Sequence, residues 1–227
     1  MSVVSNLEKI NDNIRKACER SHRHFEDITI IAVTKYVTIE RTREAIEAGI
    51  HHFGENRTDE FANKYNEINS DHVNWHFIGT LQSRKTKEVV EHVTAIHSLD
   101  RMSLAKEINK RASQPVDCFV QVNVSSEDTK HGLHPEEVLE FIKQTSQYEN
   151  VRIVGLMTMA PHVEDEEILR DVFKKLADLR TQVQNEKLPH APCEFLSMGM
   201  SNDYEIAIEE GATHIRIGSD LVGPYDK

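Results

Sequence analysis

Short apolar runs recur along the chain, separated by longer stretches in which apolar residues return every three or four positions. The short runs read as strands: Ile28–Val33, His51–Phe53, Trp75–Ile78, Ala95–Ser98, Cys118–Val124, Ile153–Met157, Phe195–Ser197 and His214–Ile217. The longer stretches read as helices over Ile39–Ala48, Glu55–Ile68, Thr86–His92, Ser103–Ala112, Pro135–Gln147, Glu164–Asn185 and Asp203–Glu209. Val4, Leu7, Ile10 and Ile14 fall at helical spacing and add one helix in front.

Strands that alternate with helices imply a parallel sheet. Eight such units fit an α/β fold of the (β/α)8 TIM barrel type, with residues 1–227 forming one domain. An open doubly wound sheet is the alternative, and it needs fewer strands. The two shortest runs, His51–Phe53 and Phe195–Ser197, decide between them.

The barrel reading tells where to look for chemistry, because its sites lie beyond the C-terminal ends of the strands. Strand one ends in Thr34-Lys35, strand two in Gly54-Glu55-Asn56 and strand three in Gly79-Thr80. The seventh and eighth runs lead into SMGMSND, 197–203, and RIGS, 216–219. Both turns carry glycine and serine where barrels of this type hold phosphate. Ser201 or Asn202 is placed to cap the next helix, and Gly199 to let the backbone approach a ligand. Free N–H groups at a helix start attract phosphate. Asp203 and Glu205 oppose an anion unless they turn outward. In HIRIG, His214 and Arg216 alternate with Ile215 and Ile217, so one pair faces the barrel interior. The glycine that follows favours Arg216 on the inside.

Lys35 ends an otherwise apolar run, ITIIAVTK. An unpaired buried ammonium is costly, so it either reaches solvent, pairs with an acid or does chemistry. Burial would favour the neutral amine that attacks an aldehyde. By position alone an exposed lysine remains the simpler reading.

Composition narrows the class. The chain has 227 residues and a formal net charge of -11, which repels phosphate backbones and excludes nucleic acid as a general partner. No stretch reaches the ~20 consecutive apolar residues of a membrane helix. The N-terminal segment lacks the apolar core of a secretion signal. Cys18, Cys118 and Cys193 are scattered, with no spacing for zinc or a disulfide framework, so a reducing cytoplasm is the expected compartment. Among thirteen histidines there is no HExxH, and no metal site is expected. His76 is expected to pack in the core.

The segments AVTK at 32–35, FGEN at 53–56, WHFIGTLQ at 75–82, QVNVSSEDTKHGL at 121–133, GLMTMAP at 155–161, LSMGMSND at 196–203 and THIRIGSDLVG at 213–223 resemble the pyridoxal phosphate homeostasis proteins. These are single-domain relatives of the alanine racemase N-terminal barrel. The resemblance runs in order from about residue 5 to 223. It implies pyridoxal 5′-phosphate as cofactor, held as an internal aldimine on Lys35. It further implies that Ser201, Gly218 and Ser219 hold the phosphate. Arg216 then faces the pyridine nitrogen, and Asn56 lines the ring. The chain departs from the family at Arg84 in QSRK, at Arg57-Thr58-Asp59 after GEN, and at Leu221-Val222-Gly223 near the end. These departures bear on the rim of the pocket and on any partner surface.

The resemblance implies a role in pyridoxal phosphate homeostasis, with binding, buffering and delivery to PLP-dependent apoenzymes. A guanidinium at the ring nitrogen weakens the ring as an electron sink. The chain runs out just after strand eight, before any second domain that would supply the opposing acid of a racemase. An efficient enzyme is therefore not expected, and a monomer is the default. A weak racemase or other PLP enzyme, a class I aldolase and a non-catalytic regulatory protein are the alternatives.

Overall fold

The computed structural model describes residues 2–125 and 131–223. Eight strands are present: β1 (Thr29–Val33), β2 (His52–Glu55), β3 (Asn74–Phe77), β4 (Ala95–Leu99), β5 (Val116–Gln121), β6 (Val151–Met157), β7 (Phe195–Met200) and β8 (His214–Ile217). All pair in parallel with their sequence neighbours, and β8 pairs with β1, closing the barrel. Closure sets Ile31 opposite Arg216 and Ala32 opposite Ile217. This removes the open-sheet alternative.

Helices α1 (Val3–Ser21), α2 (Ile39–Glu47), α3 (Thr58–Ile68), α4 (Met102–Arg111), α5 (Pro135–Thr145), α6 (Glu166–Asn185), α7 (Tyr204–Glu209) and α8 (Ser219–Val222) surround it. The leading helix α1 starts where Ser2 Oγ accepts Ser5 N–H at 3.2 Å. It buries Ile10, Ile14, Ala17 and Cys18. Asn13 Nδ2 donates to the Tyr204 hydroxyl of α7, and Asn6 Nδ2 to the Leu221 carbonyl of α8, so α1 braces the closing elements of the barrel.

Between β3 and β4 the expected helix over Thr86–His92 is absent. A 3-10 turn spans Ser83–Glu88 instead, followed by irregular chain. The segment has only the β-branched pair Val89-Val90 to bury, too little for an amphipathic helix face. The fifth strand ends at Gln121, short of the expected Val124. The seventh continues to Met200, past the expected Ser197.

The main core lies between barrel and helices, where Phe53, Phe61, Trp75, Ile215 and Ile217 belong to one buried cluster. The period of two then turns their neighbours inward: His52 and Gly54, His76, His214 and Arg216. Along β1 the same alternation sends Ile31, Val33 and Lys35 inward while Ala32 joins the outer core. Ala95, Phe119, Val154 and Met157 form a separate apolar cluster.

Candidate functional site at the strand C-termini

A cleft of about 440 Å³ opens at the C-terminal ends of the strands. Lys35, Asn56, Ser201, Arg216, Gly218 and Ser219 all line it. Six residues drawn from four βα junctions thus meet in one place. A second cleft of about 450 Å³ lies at the opposite end, lined in part by Glu91, Ser113, Asp117 and Arg152. There the polar groups satisfy each other: Ser113 N–H and hydroxyl both donate to Glu91, and Arg152 pairs with Asp117 at 2.7 Å. In the C-terminal cleft some polar groups, Asn56 Oδ1 among them, find no partner among the described residues.

Lys35 is half-buried, and no carboxylate lies within ion-pair distance of it among the described residues. It is neither the solvated surface lysine nor the paired one. The chain turns sharply after it, because Tyr36 adopts φ +66°. The backbone just before it is held from outside the barrel. Thr34 Oγ1 donates to Glu55 Oε1 at 2.6 Å, and Lys64 Nζ donates to the same oxygen at 2.7 Å. Lys64 also donates to the Thr34 carbonyl. Burial raises the Glu55 carboxyl above its ordinary value, while Lys64 and Thr34 pull it back.

Arg216 points into the barrel and is 5% exposed. Its Nη1 donates to Ser197 Oγ at 2.7 Å and its Nη2 to the Thr158 carbonyl at 2.9 Å. Burial lowers its pKa to about 10, with Asp203 pulling the other way, so it stays a cation at neutral pH.

The turns after β7 and β8 differ from expectation in detail. Asp203, not Ser201 or Asn202, occupies the position before α7, and its Oδ1 accepts the Met200 N–H at 2.5 Å. Asp203 is buried rather than turned outward, and burial raises its carboxyl above the ordinary value. Glu205 does face out, pairing with Arg20 of α1 at 3.0 Å. Gly199 serves packing: a Cβ there would meet Ala207 Cβ at 2.7 Å, and its φ is +92°. With six and four residues, α7 and α8 are too short for a developed dipole. What remains is backbone. The N–H groups of Ser201, Asn202, Gly218 and Ser219 find no carbonyl partner among the described residues. A Cβ on Gly218 would touch nothing nearer than 3.9 Å, so the space above it is open.

The alanine racemase N-terminal domain model matches residues 5–226. A pyridoxal phosphate homeostasis protein of Aquifex aeolicus is 43% identical over 229 residues, covering 98% of each chain. The chain belongs to the pyridoxal phosphate homeostasis protein family. Another relative of that name, from Schizosaccharomyces pombe, is 37% identical over 97% of this chain and 93% of its own. The structure of PipY from Synechococcus elongatus PCC7942 with PLP bound matches with a TM-score of 0.84. It is 31% identical and covers 98% of this chain and 100% of that one. An alanine racemase of Clostridium difficile shares the fold, with a TM-score of 0.77 at 15% identity, and this chain covers 58% of it.

This family member's cleft holds further residues to which sequence reading gave no role. Gln121, Met157, Met159 and His131 line it as well. Alternation along β5 was the available signal for Gln121, which stands in step with inward-facing Phe119, whereas an irregularity in the β5–β6 register breaks the period of two between Val154 and Met157. Gln121 Nε2 donates to the His131 carbonyl at 3.2 Å. His76 is buried in the barrel interior, as expected, and is hydrogen-bonded on both ring nitrogens. Among the described residues no helix is long and apolar enough to cross a membrane.

Proposed function

We propose that the protein binds pyridoxal 5′-phosphate reversibly and buffers it within vitamin B6 homeostasis. The carrying observation is that Lys35, without a carboxylate partner, shares one cleft with unpaired backbone donors and a buried guanidinium. The fit can be tested group by group. An aldehyde needs a free amine, and Lys35 Nζ supplies it. A phosphate needs converging donors, and Ser201, Gly218 and Ser219 supply N–H and hydroxyl groups around open space. Asn56 brings an amide whose Oδ1 is buried and finds no partner among the described residues.

When bound, this cofactor supplies a reactive aldehyde on an electron-poor ring. Lys35 holds the aldehyde. Ser201, Gly218 and Ser219 hold the phosphate. Arg216 stays a donor with no lone pair to offer, so it would disfavour a proton on any ring nitrogen it met. That favours storage over turnover. Of the described residues lining the cleft, only Lys35, His131 and Arg216 are titratable. A racemase needs an acid or base on each side of its substrate, a fixed guanidinium does not serve as one, and beside Lys35 that leaves His131 alone. Release to apoenzymes, by exchange of the Lys35 amine for another, completes the proposed role.

The test is optical. Protein loaded with pyridoxal 5′-phosphate should be yellow and give a borohydride-trapped adduct on Lys35. Lys35→Ala should lose both while folding normally. A protein that cannot be loaded overturns the proposal. Amino-acid racemisation in a chiral assay near the usual enzyme range, with kcat of ~10 s⁻¹, overturns the buffering role in favour of an enzyme.

A further inference from the structure

Five polar side chains from five strands form a single line through the barrel interior. His52 Nδ1 lies 2.9 Å from His76 Nε2, and His76 Nδ1 lies 2.9 Å from His97 Nε2. His97 Nδ1 lies 2.9 Å from Ser197 Oγ, which accepts from Arg216 Nη1 at 2.7 Å. His76 and His97 are 2% and 0% exposed. Phe119 stacks on the His97 ring, with centroids 4.1 Å apart. At the far end, His52 reaches a surface cleft it shares with Leu7, Asn11 and Phe25. The line therefore runs from one end of the barrel to the floor of the site at the other.

Donor counting gives this line a direction. Arg216 has no lone pair, so it donates to Ser197. The Ser197 hydroxyl must then place its own proton, and its one other side-chain partner among the described residues is His97 Nδ1. His97 Nδ1 is therefore the acceptor, and its proton sits on Nε2. That proton goes to His76 Nδ1, so His76 also carries its proton on Nε2 and gives it to His52 Nδ1. Reversing the line strands the Ser197 hydroxyl proton in the interior, which is costly. A further proton on His76 would set its Nδ1–H against the His97 Nε2–H, and one on His97 would set its Nδ1–H against the Ser197 hydroxyl proton. Burial supports neutral rings, holding His52, His76 and His97 below the ordinary histidine value. His214 stands beside the line but is bonded to Thr213, not to it.

We infer that Ser197, His97, His76 and His52 form a one-directional hydrogen-bond chain that positions Arg216 at the floor of the cleft. The line turns the Ser197 lone pair toward Arg216 and its proton away. With the Thr158 carbonyl it fixes two of the guanidinium nitrogens from behind, so the guanidinium meets the ligand in one orientation. The part of this inference that concerns the ligand rests on the cofactor reading above; the direction of the chain does not.

Two measurements separate them. Long-range ¹H–¹⁵N spectra of the histidine rings, on cofactor-free protein at neutral pH, should show His52, His76 and His97 all as Nε2–H tautomers. A His97 ring protonated on Nδ1 overturns the chain. On protein loaded with pyridoxal 5′-phosphate, Ser197→Ala should weaken retention about tenfold, as expected for a lost hydrogen bond to a charged group. Ser197→Thr keeps the hydroxyl and should restore retention. Lys35 should remain trappable by borohydride in both. Equal retention in Ser197→Ala and the parent overturns the positioning role. If the parent itself takes up no cofactor, the cofactor reading fails, and the tautomer spectra alone decide the chain.

Discussion

Lys64 Nζ lies 2.7 Å from Glu55 Oε1, and the two side chains are 6% and 0% exposed. They sit outside the barrel wall, and Lys64 also grips the Thr34 carbonyl, one peptide before Lys35. A buried pair of this kind contributes little net stability, but breaking it strands a charge. Lys64→Met and Glu55→Gln should each cost about 3–5 kcal/mol in urea unfolding. The double variant Lys64→Met with Glu55→Leu should recover most of that loss while still disturbing Lys35, read as slower borohydride trapping. Single variants as stable as the parent would show that the pair does not hold this corner.

Two glycines of the site have opposite reasons to be glycine. A Cβ on Gly79 would lie 2.1 Å from the Asn56 carbonyl oxygen, so backbone must move. Gly79→Ala should destabilise by about 1–3 kcal/mol through overpacking and shift Asn56. At Gly218 an added Cβ meets nothing nearer than 3.9 Å, so no atom of the protein blocks it. Gly218→Ala should therefore clash with nothing in the protein yet crowd the space above it and bind pyridoxal 5′-phosphate less well. Parallel thermal melts and equilibrium dialysis check both.

Ser201→Ala combined with Ser219→Ala should raise the dissociation constant for pyridoxal 5′-phosphate about tenfold or more, the scale of a lost charge-assisted hydrogen bond. Pyridoxal without phosphate is the control, because its weaker binding should not change. An unaltered preference for the phosphorylated form would remove both hydroxyls from the phosphate assignment.

Acid should destabilise the barrel. Burial lowers His52, His76, His97 and His214 below 6.5, His214 to about 3. Below pH 6.5 the unfolded chain binds protons at these rings that the folded chain refuses, so stability rises with pH there. Their contribution is complete above 6.5 and is lost as pH falls toward the folded values. Each such ring adds about 1.4 kcal/mol per pH unit to the slope. Glu55 and Asp203, raised above 4.5 and 3.8, act with opposite sign: they favour the fold in acid and lose that as pH rises through their folded values. Urea unfolding should show a level stability from pH 7.5 to about 6.5 and a loss from there to pH 5. Replacing His214 with Gln should flatten the curve, and an unchanged curve would place the titrating groups elsewhere.

The strands were readable because each carries a local signal, apolar runs of β-branched residues bounded by turns. The inward face of β8 was readable for the same reason, since His214 and Arg216 alternate with two isoleucines. That Lys35, Asn56, Ser201, Gly218 and Ser219 would share one end of the barrel was legible from their places at strand ends and from family motifs, and they line one cleft. The 3-10 turn at Ser83–Glu88 was not, because charged residues at a plausible spacing do not reveal how little there is to bury. Nor was the role of Asp203, whose carboxylate reaches back to Met200 N–H rather than out to water. The histidine line joins positions 24, 21 and then 100 residues apart, so nothing local announces it.

The joining of β8 to β1 has a consequence for synthesis. The reactive amine at Lys35 emerges from the ribosome early, whereas Arg216, Gly218 and Ser219 emerge among the last residues of the barrel. A nascent chain thus exposes a lysine with no cradle beside it. On the proposed assignment, only the docking of the final strand brings the phosphate donors into place, so tight retention would mark a chain whose barrel has closed. Ligand bound in this way stabilises the closed form by mass action and leaves partly made chains unrewarded.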